Sequence, residues 1–247
     1  MNANRHPKSN ISEYLQSLFT SDRLGAQVVF QTVLPQTPAF WSESITQYSA
    51  AVQQALDASG IRRLYQHQDQ AIDKILKEEN VIVATPTASG KTLIYNLPVL
   101  ERFQTDVNSR SLYIFPLKAL AQDQLRAFEQ MAAHFGGDQP TAAIYDGDTS
   151  AYRRKRIREA PPNVILTNPE MLHLSFLAHH RKWVNFFKHL QTVVVDEVHT
   201  YRGVMGSHVA QIFRRFHRIC RRCGATPTFV FSSATVAEPA RLAEQLS

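Results

Sequence analysis

The 247-residue chain is 44% hydrophobic and carries a formal net charge of +6, with a sequence pI near 9.4. That length and composition suit one sizeable buried core and exclude a disordered chain. No stretch approaches the roughly 18 apolar residues of a membrane span, no signal-like apolar run opens the chain, and two cysteines are no disulfide framework, so a cytoplasmic setting, nucleoid-associated if the source is bacterial, is expected.

Residues 1–45 read as an accessory N-terminal extension. Within it "ISEYLQSL" predicts a helix, and "VVFQTVLPQTPAFW" a short strand with a proline-punctuated tail. From residue 46 to 247 six short apolar runs recur: Val81–Ala84, 111–115, 141–145, Val164–Thr167, 192–196 and 228–232. Segments of helical period separate them, such as "LKALAQDQLRAFEQMAAHF" and "GSHVAQIFRRFHRIC". The runs do not alternate apolar with polar, which is how strands covered on both faces look. Strand and helix alternating in this way predict an α/β fold with a doubly wound parallel sheet. Ligands of such sheets bind beyond the carboxyl ends of the strands. Each run is indeed followed at once by a polar or turn-forming string: "TPTASGKT", "PLKAL", "DGDT", "NPEML", "EVH" and "SAT", in that order.

The first of these strings has the chemistry of a phosphate loop. Ser89-Gly90-Lys91-Thr92 offers backbone N–H groups at a helix start, a cation for the outer phosphates and a hydroxyl for Mg²⁺. The usual opening glycine is replaced by Thr85, and Thr87 and Ala88 complete the loop. The fifth run ends in Asp196-Glu197. There Asp196 is expected to hold Mg²⁺, because a hard cation prefers oxygen ligands, and Glu197 to deprotonate the attacking water. ATP and Mg²⁺ are the cofactors this pairing calls for.

Together the motifs resemble those of superfamily 2 helicases: "TPTASGKT" motif I, "PLKALAQDQ" Ia, "TNPEML" Ib, "DEVH" II and "SSAT" III. "LYQHQDQAI" resembles their adenine-reading segment. "YDGDT", "NPEMLH", "VDEVHTYRGVMGSHVAQIFRRF" and "VLPQTPAFW" narrow the resemblance to the YprA-like, mitomycin-repair DNA helicases over nearly the whole chain. The resemblance implies a RecA-like P-loop NTPase domain with Gln68 on the adenine and Thr87, Ala88, Ser89, Gly90, Lys91 and Thr92 around the phosphates. It implies Asp196, Glu197 and Lys91 at the chemistry, and His199, Ser233 and Thr235 coupling that chemistry to the nucleic-acid side. Lys118, Asp148, Thr149, Thr167 and Arg202 become candidates for a DNA backbone, single-stranded or forked. It further implies a second RecA-like domain, carrying an arginine finger, elsewhere in a longer protein. The present chain is accordingly expected to be a monomer that does not unwind DNA unaided. A non-unwinding translocase and an RNA helicase are the alternatives.

The excess charge sits in "RRKRIRE" and "RRFHRICRR". Either run is a solvated helix face or a competing seat for a polyanion. Cys220 and Cys223 lack the second pair of ligands that a zinc site needs.

Overall fold

The computed structural model describes residues 10–33, 38–43, 47–86, 89–135 and 138–246. Two compact units divide the chain, Met1–Ala39 and Phe40–Ser247. In the first, helix α1 (Ile11–Phe19) starts at Asn10, whose side chain accepts from the Ser12 N–H. The strand expected in "VVFQTV" does not form: residues 28–33 are irregular, with Val29, Phe30 and Val33 mostly exposed. No ladder partner is supplied there, and β propensity expresses packing on a sheet more than a backbone preference. Among the described residues of that segment, only Trp41, in the second unit, makes a bridge, pairing with Tyr65.

The second unit holds helices α2 (Ala50–Ala58) and α3 (Gln66–Leu76), then six strands and their crossovers. The strands are β1 (Val81–Ala84), β2 (Arg110–Ile114), β3 (Ala142–Ile144), β4 (Val164–Thr167), β5 (Leu190–Val195) and β6 (Thr228–Ser233). All neighbours pair in parallel, in the order β1-β6-β5-β2-β4-β3. Helices α4 (Lys91–Thr105), α5 (Lys118–Ala132), α6 (Ala151–Glu159), α7 (Pro169–Met171), α8 (Val184–Lys188), α9 (Gly203–Arg222) and α10 (Pro239–Leu246) complete the unit. None is long and apolar enough to cross a membrane among the described residues.

Side chains of each central strand alternate between two cores. Tyr113, Leu166, Val194 and Val230 enter the core beneath α2 to α5, whereas Leu112, Ile165, Val193 and Phe229 enter the one beneath α8, α9 and α10. The period of two thus places one layer of helices on each face, the doubly wound arrangement.

One half-buried cation ties the lower edge of the sheet. The Arg102 guanidinium on α4 donates to the carbonyls of Ile75 and Gln191 and to the hydroxyls of Thr192 and Thr228, where β5 and β6 begin. Burial pushes its pKa down, yet these acceptors hold it in place. We expect Arg102→Leu to leave them unsatisfied and to lower unfolding free energy by about 3 kcal/mol. Urea denaturation checks this, and a loss below about 1 kcal/mol would show that water replaces the guanidinium at little cost.

Candidate functional site

Register aligns the six strand ends into one row. Ala84 pairs with Ser233, Val195 with both Phe231 and Ile114, Ile114 with Thr167, and Ile144 with Leu166. Because β6 and β5 lie beside β1, and β4 and β3 lie beyond β2, the six strings that alternate along the chain separate in space. "TPTASGKT", "SSAT" and "DEVH" share one half of the edge; "PLKAL", "NPEML" and "DGDT" share the other.

The first half is internally tied. The Thr85 N–H donates to the Ser233 carbonyl at 3.3 Å, and the Thr85 and Ser89 hydroxyls lie 2.6 Å apart. Gly90 begins α4 at φ +74°, a conformation that favours glycine. A Cβ there would also meet the Gln68 amide nitrogen at 2.4 Å. That amide is buried: its Nε2 donates to the Gly90 carbonyl at 3.0 Å and its Oε1 accepts the Tyr65 N–H at 2.9 Å. His67 Nε2 lies 3.2 Å from the Ser89 carbonyl, and the Tyr65 ring stacks between Trp41 and His67, with centroids 4.6 and 5.7 Å away. Gln68 is therefore a brace of the loop, whatever else it does. Lys91 is folded onto the loop, its Nζ donating to the carbonyls of Thr85 (3.0 Å) and Pro86 (3.1 Å). Thr87 and Ala88 lie outside the described residues.

Asp196 follows β5, its N–H given to the Ile114 carbonyl at 2.9 Å. Its carboxylate is buried and accepts from the Ser232 hydroxyl, one residue past the Val195–Phe231 pair. Burial raises its pKa, the Ser232 bond opposes that, and neighbouring Glu197 adds to it. Glu197 itself sits at φ +50°, a left-handed conformation that costs a non-glycine residue roughly 1–3 kcal/mol and marks functional sites. Its carboxylate is 3.1 Å from His199 Nδ1. The same nitrogen lies 3.3 Å from the Ala234 N–H and 3.5 Å from the Ser233 hydroxyl. Nδ1 cannot accept from Ala234 and donate to Glu197 at once, so the ring chooses between the two. Thr235 is exposed.

In the other half, Lys118 and Asp148 pair at 2.7 Å, both largely exposed; that hydrogen bond raises the Lys118 pKa. A turn from 146 to 149 is built on buried Asp146, whose Oδ1 takes the N–H groups of Asp148 and Thr149, while the Thr149 hydroxyl accepts from the Asp146 N–H. Thr167 is corrected: it is 2% exposed and its hydroxyl donates to the Tyr145 carbonyl at 2.7 Å, so it joins β4 to the end of β3 and presents no surface to a phosphate. Arg202 is exposed at the start of α9. Ser232 and Asp146 escaped the sequence reasoning, since their partners become visible only once strand order and register are known.

The buried carboxylate has a measurable cost. A folded-state pKa above the unfolded one means that ionised Asp196 opposes folding, and this opposition grows as pH rises from the unfolded pKa through the folded one. Asp196→Asn, which keeps an acceptor for Ser232, should therefore melt higher than the parent at pH 7, with the gap closing toward pH 4. Equal melting curves across that range would place Asp196 in contact with water.

A family model described as DEAD/DEAH box helicase matches residues 65–242. The "Uncharacterized ATP-dependent helicase YprA" of Bacillus subtilis is 49% identical over 196 residues, covering 79% of this chain and 26% of that protein. The "ATP-dependent helicase HRQ1" of Saccharomyces cerevisiae is 37% identical over 236 residues, 94% of this chain and 21% of the relative. A crystal structure of the helicase MrfA bound to DNA and AMPPNP superposes with a TM-score of 0.81 at 46% identity, over 85% of this chain and 29% of MrfA. The chain thus spans between a fifth and a third of the length of these relatives.

Proposed function

The chain belongs to the DEAD/DEAH box helicase family, and from that premise we propose that residues 46–247 are the ATP-binding motor domain of a cytoplasmic DNA helicase acting in repair, working against a second RecA-like domain of the same protein. The observation that carries this is the meeting of Lys91, Asp196 and Glu197 at the ends of β1 and β5, with only β6 between them. DNA as the polymer is supported by the DNA in the MrfA structure.

ATP would displace the Thr85 and Pro86 carbonyls from Lys91, whose ammonium then meets the outer phosphates while the Gly90–Lys91 helix start supplies N–H donors. A divalent cation would be held by the buried Asp196 carboxylate, with the Thr92 hydroxyl at the start of α4 as a further oxygen ligand; when bound, it would shield charge on the phosphate oxygens. Glu197 takes the proton of the attacking water. His199, released by Glu197, accepts from Ala234 instead, which links the state of the base to the segment that follows β6. Gln68 reaches the adenine only with the donors and lone pairs that the loop leaves it. Lys118, on the other half, and Arg202, past the end of β5, hold phosphates, and Asp148 and the Thr149 turn shape the path between strands.

In the full-length protein, Glu197→Gln should bind ATP normally and lose about 10²- to 10⁴-fold in hydrolysis, whereas Lys91→Ala should weaken nucleotide binding too. Turnover is measured with single-stranded DNA, duplex DNA and RNA as activators; near-parental turnover by the Glu197 variant would remove it from the base role. Lys118→Ala and Arg202→Ala should each flatten the log–log salt dependence of single-strand binding by about 0.7. Slopes that stay at the parental value would move the nucleic acid off this track.

A further inference from the structure

The arginine-rich helix α6 separates into two faces. Arg154 and Arg158, one helical turn apart, line a cavity of about 390 Å³ between α6 and the turns after β4. His179 and Lys182 line it too, as do Tyr145 and Ser175, whose hydroxyls are 2.8 Å apart. No carboxylate lines it. Among the described residues, no carboxylate lies within ion-pair distance of Arg154, Arg158 or Lys182.

Two of these cations are held in place. Arg158 donates to the Tyr145 hydroxyl at 3.1 Å. Arg154 donates to the carbonyls of Asp146 (2.8 Å) and Gly147 (3.0 Å), stands over the Tyr145 ring at 5.8 Å, and keeps a buried Nε–H without an acceptor. Side chains fixed before any ligand arrives lose less entropy on binding. Arg154 also grips the very turn that bears Asp148 and Thr149, so the cavity continues the edge on which Lys118 lies. Lys182 is exposed in a short turn, free to close over a ligand.

We propose that this cavity is a phosphate seat for a nucleic-acid backbone: one phosphodiester of a single strand leaving the Lys118 track sits between Arg154, Arg158 and Lys182. Its three cations, Arg154, Arg158 and Lys182, lie outside the helicase motifs, and the proposal rests on the nucleic-acid role proposed above. Because it takes a phosphate and no base edge, it adds affinity without sequence preference. A nucleic-acid phosphate and free inorganic phosphate share the recognising chemistry; the link to the turn at 146–149 favours the former.

The test uses the full-length protein with Arg158→Gln and Lys182→Gln combined, Arg154 being left alone because it holds the turn. Binding of an oligothymidylate is followed across salt concentration, and melting with and without inorganic phosphate at constant ionic strength. One lost phosphate contact should flatten the log–log slope by about 0.7, equivalent to about fivefold weaker binding near 0.1 M salt. Basal ATPase and melting temperature should stay unchanged, and the charge-preserving pair Arg158→Lys with Lys182→Arg should retain parental binding. Three results would overturn the proposal: an unchanged slope, weaker binding that the charge-preserving pair shares, or a change confined to the response to inorganic phosphate. If Lys118→Ala weakens binding while the double variant is silent, the seat falls and the nucleic-acid role stands. If the parent binds no oligonucleotide, both fall together.

Discussion

The position of β5 in the sheet governs the whole functional edge. It is hydrogen-bonded to β6 on one side and β2 on the other, its side chains Val193 to Val195 wholly buried. The strand therefore cannot slide, and the two carboxylates at its end are held where the two halves of the edge meet. A one-residue slip would turn Asp196 to the opposite face and Glu197 away from the loop. The Asp196 N–H bond to Ile114 and its carboxylate bond to Ser232 fix it to both neighbours at once. Arg102 does the same work at the far end, binding the starts of β5 and β6 to α3 and α4.

Around that fixed strand the site stores unfavourable free energy. Asp196 is buried with its pKa raised, and Glu197 sits in a left-handed conformation. A bound cation would relieve the carboxylate, while Lys91 is satisfied by loop carbonyls. Stability given up at a site in exchange for function is the usual trade. His199 adds a discrete choice between Glu197 and Ala234, and such a choice is what coupling between two halves requires.

Much of this was legible in the sequence, for reasons that can be named. The strands showed because buried parallel strands are continuous β-branched runs, and the observed limits differ from the expected ones by no more than two residues. Lys91, Asp196 and Glu197 showed because their chemistry fixes their place at a strand's end. Strand parity also foretells the burial of Thr167, which shares a face with Ile165, but only after β3 is known to lie alongside with Tyr145 at its end. Ser232 and Asp146 needed the register, and the segment at 28–33 misled because β-branched residues are strand-like only with a partner. The run at 153–158 read as undifferentiated charge, whereas helical spacing selects Arg154 and Arg158 for one cavity.

Strand order, as proposed, separates a nucleotide half of the edge from a polymer half. Amide hydrogen exchange on the full-length protein tests it most directly, with Mg·AMPPNP and an oligothymidylate added separately. Nucleotide should slow exchange at 89–93, 196–199 and 232–235, and the oligonucleotide at 116–121 and 145–154. Protection of 145–154 by nucleotide alone, or one shared set of protected segments for both ligands, would contradict the separation.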